Sequence, residues 1–341
     1  MKRITIYDVA KEADVSLATV SRVINDSSVV REDTRQRVQQ VIERLGYKPN
    51  AVAQGLALSK TTTVSIVMSE KLLAYNAKIL NGLMDVANIY HYNVMFHTTS
   101  KGISKMQDVI ESIIKSRVDG VIIFNDNFTE EEMEVLNEYK IPMVIVGSKF
   151  DGSRHDHVGN VYVDMEKLTH DLVRSYFDKG ITDISMVEDK LNLSMMNQMK
   201  AGAAKAFEEE NMVFKNYLTY NDTYKTSYEF FSDYFKDHKP SRLNIAFRDS
   251  QGIAILNAAK EHGYKVPEDL EIVTILDSKY LPMMRPAISA YNIPDYDMGA
   301  LAMRMLTKML QAADDKNVER VIEIQASPIE RDSTIEMVAE S

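Results

Sequence analysis

The 341-residue sequence predicts an α/β protein with a small helical head and a large core of two Rossmann-like parallel sheets. The first 48 residues carry three helical patterns of apolar residues. From residue 61 onward, short β-rich runs alternate with amphipathic stretches, which is typical of parallel strands joined by helices. The composition, 45% hydrophobic and 26% charged, is that of a chain folded throughout.

The charge is distributed unevenly between the head and the core. The formal net charge is −10, yet residues 1–60 contain ten basic and seven acidic residues. The remainder contains 30 basic and 43 acidic residues. A basic head on an acidic body favours contact between the head and nucleic acid.

The first two helices are predicted from their start signals. Thr5 and Asp8 form a capping-box pattern, with Thr5 placed to accept a backbone N–H, and they open a helix that runs to about Ala13. Ser16 can cap a second helix, from Leu17 to about Asn25, after a turn of two residues. The short turn predicts a helix-turn-helix, whose second helix enters the major groove of DNA.

A third helix, from Glu32 to Leu45, closes the head. Val38, Val41, Ile42 and Leu45 repeat at helical spacing, and Gly46 stands where a left-handed C-cap belongs. Arg22 of the second helix can donate two hydrogen bonds to guanine, and Leu17 and Ala18 can contact thymine methyl groups. The alternative is a three-helix cap with a solvated polar face. We predict DNA contacts from Thr5, Tyr7, Ser16, Leu17, Ala18, Thr19, Ser21, Arg22, Asn25, Tyr47 and Asn50.

Three motifs of the head resemble the headpiece of the lactose/galactose repressor family. They are residues 4–10 (ITIYDVA), 15–25 (VSLATVSRVIN) and 45–53 (LGYKPNAVA). The resemblance implies that the chain is a repressor of sugar metabolism, binds a pseudo-palindromic operator with a central CpG step, and forms a homodimer. It also implies a core like that of sugar-binding periplasmic proteins.

The segment after Pro49 is predicted to be a hinge. Its helix is too short to be stable alone and contains Gly55. In the family that it resembles, two hinges pair over the minor groove and each inserts a leucine between base pairs; Leu56 matches that leucine, and Ala53 belongs to the same motif. A linker leucine packed on the body is the alternative for Leu56.

We divide the chain into a headpiece over 1–48, a hinge helix and linker over 49–60, and a two-lobed core over 61–341. The first lobe is predicted to cover about 61–160 and 291–313, and the second about 161–290 and 318–341. Predicted strands are 64–69, 94–97, 120–124, 143–147, 184–187, 243–247 and 271–276, with a further strand at Val161.

Enzyme and metal chemistry find no support in the sequence. Neither nucleotide-binding glycine motifs nor hydrolase motifs occur, and there is no Cys. His155 and His157 flank Asp156, which a solvated loop explains better than a metal. We therefore expect no catalytic residue, metal or cofactor. Without an apolar leader or a membrane-length apolar run, we expect a cytoplasmic protein that is nucleoid-associated when bound to DNA.

The effector site departs from the pattern of sugar-responsive members. In these, an arginine shortly before a glycine of the second lobe and an aspartate after a later strand hold sugar hydroxyls. Asp277 matches the aspartate, but Met199 and Lys200 stand in place of the arginine, and Arg248 stands where a small or amide residue is common. Lys200, Arg248 and Asp277 are thus weak candidates for binding a sugar or sugar phosphate, and salt bridges are the alternative for the two cations.

A second candidate surface lies in residues 295–308. Arg304 and Lys308 are four residues apart and share a helix face, which suits an acidic or phosphorylated partner; an ordinary solvated face is the alternative. The region resembles catabolite-control members of the family, whose matching tyrosine, arginine and lysine receive a seryl-phosphorylated histidine-containing phosphocarrier protein. The predicted partner residues are Tyr296, Asp297, Ala300, Leu301, Arg304 and Lys308.

Three hypotheses follow. The first is a catabolite-control repressor whose operator affinity rises when the carrier protein docks. The second is a single-operon repressor released by a sugar or sugar phosphate between the lobes. The third, from another class, is a solute-binding receptor without a DNA role, which the basic head disfavours.

Overall fold

The computed structural model describes residues 4–24, 28–48, 61–70, 73, 77–99, 106–124, 135, 138–150, 157–189, 193–218, 223–311 and 319–337. Within these ranges lie ten α-helices and twelve strands. The chain divides into two compact units, residues 1–63 and 64–341.

The first unit is a three-helix headpiece. Its helices are α1 (Ile6–Glu12), α2 (Leu17–Ile24) and α3 (Glu32–Leu45). α3 has the predicted bounds, and its C-cap Gly46 adopts the left-handed conformation with φ 63°. The three helices bury one small core, made of Val9, Ala10, Ala13, Val20, Val23, Val38 and Val41.

The first lobe of the core is a six-stranded sheet with its helices. The strand order is β11-β5-β4-β3-β1-β2, and the pairs from β11 to β1 are parallel. Its strands are β1 (Thr63–Ser69), β2 (Asn93–Thr99), β3 (Gly120–Phe124), β4 (Met143–Gly147), β5 (Val158–Tyr162) and β11 (Val321–Glu323). Its helices are α4 (Ala77–Ile89), α5 (Met106–Ser116) and α10 (Asp295–Gln311).

The second lobe repeats this architecture, with strand order β12-β10-β9-β8-β6-β7. Only the pair of β12 and β10 is antiparallel. Its strands are β6 (Ile184–Val187), β7 (Tyr217–Leu218), β8 (Leu243–Ala246), β9 (Glu271–Thr274), β10 (Ser289–Asn292) and β12 (Ser327–Ile329). Its helices are α6 (Met165–Phe177), α7 (Leu193–Glu209), α8 (Tyr224–Asp237) and α9 (Asp249–Glu261).

The chain crosses between the two sheets three times. The crossings follow β5, β10 and β11, so Val321–Glu323 pairs with β5 in the first sheet. The predicted second segment of lobe two, from 318, therefore begins one strand too early. Tyr291 and Asn292 likewise belong to the second sheet, although the predicted return to lobe one begins at 291. The antiparallel pairing of β12 with β10 lies at the edge of the otherwise parallel second sheet.

In each lobe, a glycine allows two helices to pack in close contact. A Cβ on Gly82 of α4 would lie 2.0 Å from the carbonyl oxygen of Tyr296 in α10. A Cβ on Gly202 of α7 would lie 2.1 Å from the carbonyl oxygen of Glu166 in α6. The two contacts match atom for atom, so α10 corresponds to α6 and α4 corresponds to α7.

Candidate nucleic-acid interface and partner surface

Local hydrogen bonds fix the two helices that would face DNA. The Asp8 carboxylate accepts the backbone N–H of Thr5 at 2.8 Å and the Thr5 hydroxyl at 2.7 Å. The predicted capping box of Thr5 and Asp8 is therefore present, and the Thr5 hydroxyl also donates to Asp8. The Ser16 hydroxyl accepts the N–H of Thr19 at 3.1 Å, as expected of an N-cap.

The predicted base-reading surface is the solvated side of α2. Val20 and Val23 are buried in the headpiece core. Ser16, Leu17, Ala18 and Arg22 are exposed, while Thr19 and Ser21 are half-buried.

The flanking positions differ in exposure. Thr5 and Tyr7 at the start of α1 are exposed, whereas Tyr47 packs against the headpiece core. The predicted contacts Asn25, Asn50, Ala53 and Leu56 lie outside the described residues. The part of the interface that is described therefore presents hydroxyl groups, one guanidinium and small apolar side chains, the groups that read a major groove.

One supporting contact was not predicted. Arg44 at the end of α3 binds Glu12 of α1, with 2.7 Å between nitrogen and oxygen. A pair separated by 32 residues leaves no local pattern in the sequence.

Each of the three effector candidates is held in an ion pair of the chain itself. Lys200 binds Glu188. Arg331 binds Asp277 at 2.9 Å. Arg248, whose side chain is only 2% exposed, binds the fully buried Asp189 at the ends of strands β8 and β6. Lys200 and Arg248 thus make the salt bridges that were the alternative to ligand binding.

The partner candidates all lie on the solvated side of α10. Tyr296, Ala300, Arg304 and Lys308 follow one another at intervals of four residues and form a row about 18 Å long. Asp297 and Leu301 lie beside this row.

These six side chains are exposed or half-buried, whereas most other residues of α10 are buried. Tyr296 is 45% exposed, Asp297, Arg304 and Lys308 are exposed, and Ala300 and Leu301 are half-buried. Tyr296 donates a hydrogen bond to Asp85 at 2.8 Å, which raises the pKa of the phenol. Neither Arg304 nor Lys308 makes an ion pair to any residue that the structure describes.

No three His, Asp or Glu side chains of the described residues come together as a metal site. His157 is half-buried, and its neighbours His155 and Asp156 lie outside the described part of the chain. None of the described helices is long and apolar enough to cross a bilayer.

Comparison with known proteins agrees with the geometry of both units. Residues 5–50 match the family of bacterial regulatory proteins described as lacI, and residues 173–334 match the periplasmic binding protein-like domain. Catabolite control protein A of Staphylococcus epidermidis is 32% identical over 316 residues, which cover 92% of this chain and 94% of that protein. The protein of the same name from Priestia megaterium is 35% identical over 311 residues, which cover 90% of this chain and 92% of that protein.

The chain belongs to the lacI family of bacterial regulatory proteins. It is a DNA-binding transcription regulator of carbohydrate metabolism and not an enzyme. Its fold is that of the Lac repressor dimer solved with operator and an anti-inducer, with a TM-score of 0.83, 20% identity, and coverage of 98% of this chain and 100% of that one.

Proposed function

We propose that this lacI-family regulator is a homodimeric, catabolite-control repressor whose affinity for its operator rises when a seryl-phosphorylated histidine-containing phosphocarrier protein docks on α10. The observation that carries the proposal is the row of Tyr296, Arg304 and Lys308, in which two exposed cations have no ion-pair partner among the described residues. The repressor acts in the cytoplasm and is nucleoid-associated when bound to DNA.

The chemistry of the row suits a phosphorylated protein. A phosphoserine carries about −1.5 to −2 charges and three acceptor oxygens, and a guanidinium can donate two parallel hydrogen bonds to it. Arg304 and Lys308 supply these donors from adjacent turns. The half-buried Ala300 and Leu301 supply apolar area beside them for the body of the carrier.

The homodimer is supported by apolar side chains left on the surface of the core. Met95 and Phe96 lie on the edge strand β2 with 36% and 44% of their surface exposed. Tyr280 and Met283 of the second lobe are 50% and 62% exposed. A second copy of the chain would cover both sets, and a two-fold dimer places two α2 helices on a pseudo-palindrome, with the paired hinges and Leu56 at its central CpG step.

The sugar-released repressor has weaker support because Lys200, Arg248 and Asp277 are already paired. A ligand would first have to break those ion pairs. A role as a solute-binding receptor without DNA does not account for the exposed donors of α2.

Fluorescence anisotropy of a labelled palindrome with a central CpG, at fixed salt, tests the proposal. We expect the phosphorylated carrier to lower the operator Kd of the full chain, and the unphosphorylated carrier to leave it unchanged. A Kd that ignores the carrier but rises with a sugar or sugar phosphate would support the single-operon repressor instead.

The same assay tests the base-reading role of α2. Arg22→Ala should relax the preference for guanine at one position, since a bidentate contact is worth about 1–3 kcal/mol. Arg37→Ala, an exposed charge on α3, is the matched control and should change affinity without changing the sequence profile. Leu56→Ala should weaken specific binding and leave weak, salt-sensitive binding intact.

A further inference from the structure

A cavity of about 200 Å³ lies beside two of the three segments that cross between the sheets. Asp164 borders it where the chain leaves β5, and Glu323 borders it at the end of β11. Lys167 and Asp171 reach it from α6, and Tyr291 from β10. None of the effector candidates and no residue of α10 lines this cavity.

The rim of the cavity is acidic. Three of its side chains are carboxylates and one is an ammonium group. Asp164 accepts the N–H of Lys167 at 2.9 Å and a hydrogen bond from Lys149 at 3.2 Å. Glu323 accepts the hydroxyl of Tyr162 at 3.2 Å. Asp171 lies 3.0 Å from His170 Nδ1, and the three carboxylates still outnumber the ammonium groups of Lys149 and Lys167, which favours a cationic occupant over an anionic one.

Tyr291 gives the second sign of an occupant. Its side chain is 5% exposed, yet its hydroxyl makes no hydrogen bond to any residue in the described ranges. Asp171 and Tyr291 line the same cavity, and burial followed by the Asp171 carboxylate raises the pKa of Tyr291 above its ordinary value. Tyr291 lines the cavity, so a ligand there would give this hydroxyl a hydrogen-bond partner.

We propose that this cavity binds a small alkyl amine, whose ammonium group donates to the Asp171 carboxylate and to the Tyr291 hydroxyl oxygen. The apolar wall formed by Leu168 and Pro328 accommodates the stem of the amine. Such a ligand contacts α6 of the second lobe and the crossing segment after β11 at once. It therefore stabilises the arrangement of the two lobes in which both walls are present.

Thermal unfolding and calorimetric titration of the full chain without DNA test this proposal. Diaminobutane is the probe, and butanediol and succinate are matched probes that are neutral and anionic. We expect diaminobutane alone to raise the unfolding midpoint with increasing concentration, because it binds only the folded chain. An equal rise with butanediol or succinate would overturn the assignment to a cation, and no rise with diaminobutane would overturn the site.

Variants locate the effect in the cavity. Asp171→Asn should weaken diaminobutane binding roughly tenfold, the loss of one charge-assisted hydrogen bond. Asp178→Asn, just past the end of the same helix and outside the cavity, should leave binding unchanged.

Tyr291→Phe should weaken binding without lowering the unfolding midpoint of the free protein, because its hydroxyl has no bond to lose. Unchanged affinity in both cavity variants, or an equal loss in Asp178→Asn, would contradict the proposal. None of these measurements involves DNA, so their outcome is independent of the proposed repressor function.

Discussion

The helix pairs α6–α7 and α4–α10 share one packing geometry but differ in how their surface charges are paired. The matched glycine contacts make Glu166 correspond to Tyr296 and His170 to Ala300. Continuing along both helices, Arg174 corresponds to Arg304 and Asp178 to Lys308. The same geometry therefore carries a mixed-charge row in the second lobe and a cationic row in the first.

The partners of the two arginines differ as well. Arg174 lies within 4 Å of Asp178, Glu209 and Glu210, so its charge is satisfied inside the lobe. The positions that correspond to Glu209 and Glu210 are Ile89, the last residue of α4, and Tyr90 just after it, which are 69% and 38% exposed. The second lobe pairs Arg174 with three carboxylates. At the positions of Glu209 and Glu210, the first lobe has exposed apolar side chains, and Arg304 has no ion-pair partner among the described residues. This difference supports the proposal that α10, and not α6, presents a docking surface.

The largest expected effect tests the shared geometry. Gly82→Ala and Gly202→Ala should each lower the free energy of unfolding by about 2–3 kcal/mol, because each new methyl group meets a backbone carbonyl at 2.0–2.1 Å. Denaturant unfolding should give similar losses for both. The exposed Asn81→Ala is the control and should stay within about 0.5 kcal/mol. A large loss of unfolding free energy in only one of the two glycine variants would contradict the correspondence between the two helix pairs.

A smaller effect is expected at Asp295, which occupies the position that the fully buried Met165 fills in the second lobe. Burial raises the pKa of Asp295 to about 6, with Lys78 opposing the rise. The folded chain therefore binds a proton more tightly than the unfolded chain, and its stability falls as the pH rises from about 4 to about 6.

Asp295→Asn should remove that loss and gain about 1–3 kcal/mol at pH 7, with no gain below pH 4. Unfolding curves of both proteins at several pH values give the comparison. An equal gain at every pH would show that ionisation of Asp295 is not the cause.

The smallest expected effect is a difference in unfolding free energy between substitutions of Arg174 and Arg304. Arg174→Ala should lower the free energy of unfolding, because it removes the ion pairs to Asp178, Glu209 and Glu210. Arg304→Ala should cost less than about 0.5 kcal/mol, because it removes no ion pair to a described residue. Equal losses in the unfolding free energy would mean that Arg304 is paired within the folded chain.

Sequence patterns predicted the features that depend on neighbours along the chain. The bounds of α3, β3 and β4 and the left-handed Gly46 follow from helical spacing, apolar runs and cap chemistry. The edge strands β7 and β12 have two and three residues, too few to form a pattern. Their existence depends on pairing partners that are distant in sequence.

The candidate sites also divide into those that local sequence patterns predict and those that depend on contacts between separate elements. The exposed rows of α2 and α10 were predicted because helical spacing determines which side chains share a face. The ion pairs of Arg248, Lys200 and Arg331 bring residues on separate elements together. The cavity that we propose to bind an amine is likewise lined by residues of α6, β10 and β11, and no local sequence motif predicts it.

Binding of the seryl-phosphorylated carrier protein to the full chain on operator DNA, measured by titration calorimetry at fixed salt, tests the central claim most directly. Ile89→Glu would give the first lobe the acidic partner that Glu209 provides to Arg174 in the second, with Asn88→Glu as the control for added charge. We predict that Ile89→Glu weakens carrier binding about as much as Arg304→Ala, while Arg174→Ala leaves it unchanged. Unaltered binding in both Ile89→Glu and Arg304→Ala would contradict the claim that the unpaired cations of α10 form the docking surface.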